Sequence, residues 1–238
     1  MGSQDCAVSE IAEPTRLCPL CPRLVEFRNR NRETAPAAFN GAVASFGPSL
    51  GEDSARLLIV GLAPGLNGAN RTGRPFTGDF AGELLYSTLL EFGFATGRYA
   101  ASPDDGLQLV DCMITNAVRC VPPQNKPTPS EIATCGNFLK ARIAQLPNLE
   151  AILALGRIAH DSTLSALGCR KSQFKFAHGA KHAVPGGLAL YDSFHCSRYN
   201  TNTGRLTPAM FRSVFAAVRE RLPARPSVKA RRGVRRSG

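Results

Sequence analysis

The chain has 238 residues, of which 43% are hydrophobic, and its formal net charge is +11. No apolar run approaches the roughly 20 residues that a membrane-spanning helix needs, and the first residues lack the basic and apolar regions of a secretory signal, so we expect a cytoplasmic protein. The basic excess, with a pI near 9.7, indicates a polyanionic partner such as nucleic acid.

We expect one folded domain over residues 17–222. Residues 1–16 show no hydrophobic periodicity and are predicted to form a flexible N-terminal arm. Residues 223–238 are rich in basic residues, proline, glycine and serine. Because such a composition buries too little apolar surface to fold, we predict a disordered basic tail there.

Apolar segments along the domain predict the elements of an α/β fold. The predicted strands are Arg56–Gly61, Cys112–Val118, Glu150–Leu155 and Leu188–Ser193. The predicted helices cover about 80–92, a segment that begins after Thr128, about 157–167, and a segment that begins after Thr207. Thr128 and Glu131 have the spacing of a capping box, which marks a helix start.

The alternation of strands and helices predicts a parallel sheet with helices on both faces. In such folds, ligands bind outside the carboxyl ends of the strands. The most unusual loops follow those ends: residues 62–79 after the first strand, Asn116 at the end of the second, and residues 194–206 after the fourth. We therefore expect the functional site at this edge of the sheet.

Four of the eight cysteines have the spacing of ligands. Cys18 and Cys21 lie three positions apart, and Cys120 and Cys135 form a second pair with fourteen residues between them. In a reducing compartment, such cysteines are better interpreted as ligands than as disulfides. Zinc, a [4Fe-4S] cluster and a redox pair all remain open, although the position of CxxC before the first strand disfavours the redox pair and the wide second spacing argues mildly against zinc.

The loop from Gly61 to Asp79 contains five glycines and two prolines, so its backbone can approach a flat ligand or a phosphate closely. It has neither the GxGxxG order of a dinucleotide site nor the GK[ST] end of a P-loop. The two commonest nucleotide-binding motifs are therefore excluded for this loop.

This loop and two later segments, Thr115-Asn-Ala-Val-Arg-Cys120 and Phe194-His-Cys-Ser197, resemble three ordered motifs of the uracil-DNA glycosylase superfamily. The insertion Asn67–Gly73 and the extended segment Ser197–Thr207 are similar to its family 5, the type B branch. The cysteine arrangement is similar to families 4 and 5 together.

The resemblance extends from Cys18 to about Leu222 and implies both a fold and an activity. The fold would be a three-layer α/β/α sandwich with a four-stranded parallel sheet, and a structural [4Fe-4S] cluster would be held by Cys18, Cys21, Cys120 and Cys135. The activity would be base excision repair: hydrolysis of the bond between uracil and deoxyribose, without cleavage of the DNA strand.

The resemblance also implies roles for the motif residues. His195 would donate a hydrogen bond to uracil O2 as negative charge develops there, although a histidine at a strand end can also serve only to bond a loop. Asn116 would recognise the O4 and N3–H edge of uracil, and Phe76 would stack on the flipped base, unless they are merely a turn former and a core anchor. The same base pocket would be lined by Gly61, Leu62 and Ala63.

Asp79 would orient the attacking water or stabilise the cationic sugar, but its position also suits a helix N-cap. Family 4 members carry a glutamate where this chain has Leu62, so an acidic residue is missing from the place where one is expected. This departure is in keeping with family 5, which accepts other deaminated bases, and it makes hypoxanthine a candidate substrate.

Loop arginines are predicted to contact phosphates beside the damaged base: Arg71, Arg74, Arg198 and Arg205. We expect a monomer, associated with the nucleoid, that binds DNA containing uracil or other deaminated bases. Two alternatives remain open. One is a noncatalytic iron-sulfur module that binds nucleic acid and yields no abasic product, and the other is a family 4-like enzyme restricted to uracil.

Overall fold

A five-stranded sheet lies at the centre of the computed structural model, which describes residues 13–224. The helices are α1 (Pro22–Thr34), α2 (Ala69–Thr72), α3 (Phe80–Glu91), α4 (Pro129–Ala144), α5 (Arg157–Ala166), α6 (Arg198–Asn202) and α7 (Pro208–Arg221). The strands are β1 (Leu57–Gly61), β2 (Ala95–Thr96), β3 (Gln108–Leu109), β4 (Cys112–Asn116), β5 (Ala151–Leu155), β6 (Lys181–Val184) and β7 (Leu188–Ser193). Within residues 13–224, no helix is long and apolar enough to cross a membrane.

The order of the strands in the central sheet is β4-β1-β5-β7-β6. The four strands from β4 to β7 pair in parallel, as the sequence predicted, and β6 adds an antiparallel fifth strand beside β7. The sheet is therefore one strand wider than the four expected. The strand β6 was missed because it is short and largely exposed, with Val184 as its one buried residue.

Alternating residues of β1 build the two halves of the core. Leu57 and Ile59 face a cluster that contains Leu85 of α3 and Phe215 of α7. Leu58 and Val60 face the opposite cluster, which contains side chains of α4 and α5. Because each face of the sheet is covered by helices, the sandwich has the three layers that the sequence implied.

The N-terminal end of α4 is capped as predicted. The Thr128 hydroxyl accepts a hydrogen bond from the Glu131 amide, and the Glu131 carboxylate accepts one from the Thr128 amide at 2.7 Å. The same carboxylate binds Arg23 of α1 at 2.7 Å. This contact fixes α1, a helix that the sequence analysis did not identify, against the start of α4.

Glu13 and Arg16 fall within the segment predicted to be a flexible arm, yet both contact the domain. Arg16 lies over the ring of Phe39, 4.5 Å from its centroid. The Glu13 carboxylate binds Arg119 at 2.8 Å and Arg142 at 2.7 Å. Residues 1–12 of the predicted arm and residues 225–238 of the predicted tail lie outside the described residues.

The two arginines that meet Glu13 are almost completely buried, with side chains 1% and 3% exposed. Burial opposes ionisation of Glu13, but the Arg119 charge and hydrogen bonds from Ser45 outweigh it and hold the pKa of Glu13 below its ordinary value of 4.5. The stabilisation is therefore complete above about pH 4.5 and is lost as the pH falls below that value.

Replacing Glu13 by Gln should destabilise the fold, because it leaves two buried guanidinium groups without their shared carboxylate. We expect the free energy of unfolding at pH 7 to fall by about 2 kcal/mol, less than for a fully buried pair because Glu13 is partly exposed. Glu26→Gln is the matched control, since Glu26 forms an exposed ion pair with Arg30. Equal denaturation midpoints for both variants would contradict this account.

Candidate functional site

A cavity of about 750 Å³ opens at the carboxyl ends of β1, β5 and β7, where the sequence predicted the site. This volume lies in the range of small-molecule pockets. The walls come from the loops after these three strands: Leu62, Ala63, Gly65, Asn67, Gly78, Asp79, Phe80, Ala81, Leu155, Gly156, Arg157, Ile158, Ala159, His195, Ser197 and Arg198, with Asn125 beside them. The parallel sheet thus brings distant segments to one cavity.

His195 lines the cavity two residues after β7 ends. Its ring stacks on that of Phe76, with centroids 5.8 Å apart and planes inclined by 26°. The Asn200 side-chain amide donates to the His195 carbonyl at 2.8 Å, so the first turn of α6 holds the histidine backbone in place.

The His195 ring is neutral at physiological pH. Burial lowers the pKa of His195 to about 4, because the charged imidazolium loses its hydration there. Its Nδ1 atom is buried and has no hydrogen-bond partner within residues 13–224. A neutral imidazole keeps one N–H, so His195 can donate a hydrogen bond without carrying a charge.

Asn116, Gly61 and Phe76 form a buried group next to this cavity. Asn116 ends β4 and pairs in register with Gly61 at the end of β1. A Cβ atom on Gly61 would collide with Asn116 Oδ1 and would lie 2.6 Å from Phe76 Cζ, so only glycine allows these two side chains to approach. Phe76 in turn contacts His195, which connects the group to the cavity.

Two features of this buried group mark it as unusual. Asn116 Oδ1 is buried and, among the described residues, has no hydrogen-bond partner, a costly arrangement unless a ligand supplies a donor. Phe76 has a φ of 53°, a left-handed conformation that a bulky residue rarely adopts. Such strain and unsatisfied polarity often occur at binding sites.

Leu62 and Ala63 line the cavity directly, as does Asp79. Asp79 is also the N-cap of α3, since its carboxylate accepts a hydrogen bond from the Gly82 amide. Burial raises the pKa of Asp79, and hydrogen bonds from the first turn of the helix oppose that shift. The two interpretations of Asp79, helix cap and pocket residue, are therefore compatible.

Three of the four predicted phosphate-contacting arginines are exposed around the cavity or its loops. The Arg198 guanidinium lies 5.4 Å from the Phe80 ring centroid at the cavity wall. Arg205 lies over Phe194, 4.6 Å from its ring centroid, and Arg71 donates to the Asn67 carbonyl at 3.0 Å. Within residues 13–224, none of these three arginines forms an ion pair with a carboxylate.

Arg74 does not fit the predicted role, because its side chain points into the protein. It is 6% exposed and forms a bidentate ion pair with Asp105, with N–O distances of 2.9 and 2.8 Å. Its Nε donates to Thr77 at 2.7 Å, and its guanidinium lies beside the rings of Tyr86 and Tyr99. The Arg74 guanidinium is therefore engaged inside the protein and is not presented to a flanking phosphate, as the sequence analysis had predicted it would be.

The four cysteines predicted to be ligands line one small pocket near the start of α1. All four are free thiols, and apolar side chains such as Leu24 and Phe138 surround them. Burial raises the pKa of Cys120 to about 11 and that of Cys135 to about 12. The backbone N–H of Arg119 donates to Cys135 Sγ at 3.2 Å, and Arg28 lies 3.9 Å from Cys120 Sγ.

Sequence reasoning missed the contribution of the loop after β5 and of Asn200 in α6. Gly156 and Arg157 line the cavity, and a Cβ atom on Gly156 would lie 3.6 Å from that of His195. The rule that ligands bind at carboxyl strand ends would have identified Gly156 directly. Asn200 carried no such signal, because its role depends on how α6 folds back over the backbone of His195.

The family model of the uracil DNA glycosylase superfamily matches residues 48–219 of this chain. A type-5 uracil-DNA glycosylase of Thermus thermophilus is 46% identical over 204 residues, which cover 83% of this chain and 90% of the relative. One of Mycobacterium leprae is 38% identical over 216 residues, 88% of this chain and 93% of the relative. A type-4 uracil-DNA glycosylase of Thermotoga maritima is 41% identical over 105 residues, 44% and 46% of the two chains.

Replacing Arg74 by Ala should lower stability strongly, because it leaves the buried Asp105 carboxylate without its partner. We expect the free energy of unfolding to fall by about 3 kcal/mol at neutral pH. The same change at Arg71, in the same loop but exposed, should alter it by less than about 0.5 kcal/mol. Chemical denaturation measures both variants, and a stable Arg74→Ala protein would refute the structural role.

Proposed function

The chain belongs to the uracil DNA glycosylase superfamily, and from this membership we propose that it hydrolyses the N-glycosidic bond of uracil in DNA and leaves an abasic site. The observation that carries the proposal is a neutral His195 in the cavity wall, connected through the Phe76 ring to the buried Asn116 Oδ1. Together they offer one donor and one acceptor, and neither Asn116 Oδ1 nor His195 Nδ1 has a hydrogen-bond partner within residues 13–224.

His195 would assist departure of the base. As the glycosidic bond breaks, negative charge accumulates on the uracil ring, and a donor at O2 stabilises that charge more than it stabilises the bound substrate. A neutral imidazole suits this role, because it can donate a hydrogen bond to the base without repelling the positive charge that develops on the sugar.

Asn116 would recognise the base. Its free Oδ1 can accept from uracil N3–H while its amide group donates to O4, a combination that cytosine cannot satisfy because its N3 has no hydrogen and its exocyclic amine is a donor. Phe76 would provide an aromatic surface for the flipped base. Since Phe76 is 6% exposed, a small shift of the loop would accompany stacking.

Asp79 would stabilise the cationic sugar or orient the water, from its position in the cavity wall. Leu62 occupies the wall position where an acidic residue would otherwise hold the water, and Asp79 is the carboxylate that lines the cavity among the described residues. A pocket with an apolar Leu62 side chain would also tolerate other deaminated bases, and we include hypoxanthine among the substrates.

The exposed arginines Arg71, Arg198 and Arg205 would contact the phosphates that flank the extruded base. Their charges lie around the cavity mouth and its loops, where a DNA backbone must pass for a base to enter. Phosphate contacts of this kind fix the position of the duplex and add no base specificity. Uracil selection would rest on the pocket alone.

Cys18, Cys21, Cys120 and Cys135 would hold a [4Fe-4S] cluster. They fit this group because four free thiols line one apolar pocket, and N–H donors of Arg28 and Arg119 are aimed at two of the sulfurs. Bound there, a cluster would cross-link the segments that carry these four cysteines. The ligands come from the segment before α1, the segment after β4 and α4.

The test of the activity is a labelled duplex with one uracil, treated with alkali after incubation to reveal abasic sites. We expect cleavage at the uracil and a fall in the single-turnover rate of roughly 10²–10³ for His195→Ala, the usual loss of one such donor. Arg212→Ala, which removes an exposed ion pair with Glu91, is the control variant and should retain the rate.

Two other outcomes would contradict parts of this proposal. DNA binding without any abasic product would indicate a noncatalytic nucleic-acid-binding module. A parallel duplex with hypoxanthine tests the substrate range, and uracil release without hypoxanthine release would indicate a uracil-restricted enzyme.

Iron analysis and visible absorbance of anaerobically prepared protein test the cluster. We expect about four iron atoms per chain, with loss of iron and colour in Cys120→Ala. Cys169→Ala is the matched control, because Cys169 is a partly exposed thiol that does not line the cysteine pocket. Stoichiometric zinc in place of iron would overturn the assignment.

A further inference from the structure

A second cluster of ligand-type side chains lies at the β6 edge of the sheet, away from the cavity walls. It consists of His160 on α5, His182 on β6 and Asp192 on β7, whose ligand atoms all lie within 4.8 Å of one another. His160 and Asp192 have fully buried side chains, and that of His182 is 15% exposed. The proposed base excision does not use any of them.

Both ring nitrogens of His160 make short contacts, but a neutral imidazole has only one N–H to place in them. Its Nε2 lies 3.0 Å from the Phe174 carbonyl, which can only accept, so Nε2 carries the hydrogen. In a neutral imidazole, Nδ1 then presents a lone pair, yet it lies 2.7 Å from Asp192 Oδ1. Two lone pairs repel at this distance, so either a second proton or a metal cation must lie between His160 Nδ1 and Asp192 Oδ1.

The contact that His160 makes with its other ring nitrogen is also typical of metal sites. Histidines that bind a metal through one nitrogen commonly donate the other ring N–H to a backbone carbonyl, as His160 does to Phe174. Imidazole nitrogens and a carboxylate oxygen form a donor set that zinc accepts. The His182 ring, partly exposed on an edge strand, offers a route from solvent to the buried ligands.

We propose that His160 Nδ1, His182 Nε2 and Asp192 bind one divalent transition-metal cation of the zinc class. Zn–N and Zn–O bonds of about 2.0–2.2 Å place tetrahedral ligands about 3.3 Å apart. The separation of 3.1 Å between His182 Nε2 and Asp192 Oδ2 already meets this requirement. The shorter His160 contact must lengthen by about 0.6 Å, which a small rotation of the Asp192 carboxylate supplies.

With three protein ligands, such a site would leave the fourth position to solvent, and it would join three elements at one point. Asp192 lies three positions before His195, and the segment between Phe174 and β6 packs along the end of β7 through the Gly179 amide, which donates to the Asp192 carbonyl at 2.8 Å. Next to it, the Phe194 amide donates to His178 Nδ1 at 3.1 Å. The metal would hold the strand end that positions His195.

Metal analysis after equilibrium dialysis of the full-length protein against zinc chloride tests this proposal. The cysteine pocket can also take up zinc, so the informative quantity is the difference between variants. We expect wild-type protein and His178→Gln to retain about one zinc ion per chain more than His182→Gln. Zinc should raise the melting temperature of the wild-type protein and of His178→Gln. It should not raise that of His182→Gln, because that variant lacks the zinc site of the folded state.

Equal zinc content in all three proteins would overturn the proposal and leave a proton as the only cation between His160 and Asp192. If His182→Gln fails to fold, the ¹⁵N resonance of His160 Nδ1 in the wild-type protein decides the question. A change in that resonance on addition of zinc is the expected result. An unchanged resonance with a bound proton contradicts the metal site.

Discussion

Parallel pairing of β4, β1, β5 and β7 is the constraint on which the site depends. Parallel strands end at the same edge of a sheet, so the loops after β1, β5 and β7 meet there even though they are far apart in sequence. The register of β1 and β4 places Gly61 against Asn116, and the missing Cβ on Gly61 leaves room for Phe76. The Phe76 ring stacks on that of His195, so the sheet geometry also positions His195, the proposed donor to the leaving base.

Buried charged and polar groups around the sheet are arranged in two ways. Where they support the fold, arginine meets carboxylate, as in the pairs of Arg74 with Asp105 and of Glu13 with Arg119 and Arg142. Beside the cavity, Asn116 Oδ1 and His195 Nδ1 have no hydrogen-bond partner within residues 13–224. An unpaired buried polar atom costs stability, and at these two positions a ligand in the cavity can complete the hydrogen bonding.

Sequence patterns predicted the elements whose stability comes from burial of apolar residues. The strands β1, β5 and β7 are almost entirely buried, and their apolar runs could be recognised without a structure. The helix α1 was missed because its buried residues include Arg28 and Asn31, so it has no apolar periodicity.

The direction of individual side chains could not be predicted from sequence. Arg74 and Arg71 lie in the same loop and differ only in which way they point, and the choice depends on Asp105, about thirty positions away in the chain. Glu13 likewise gains its role from partners on remote elements. His195, Leu62 and Ala63 lie in the cavity wall, at the sheet edge where the sequence predicted a site, because each follows the carboxyl end of a strand closely.

The claim that His195 is a neutral donor is tested most directly by an NMR titration of its ring nitrogens in the intact protein. We predict one protonated and one unprotonated nitrogen at neutral pH, with conversion to the imidazolium only as the pH approaches about 4. A midpoint near the ordinary value of 6.5, or two protonated nitrogens at neutral pH, would contradict the account. The leaving base would then meet a cation, and the site would require a different mechanism.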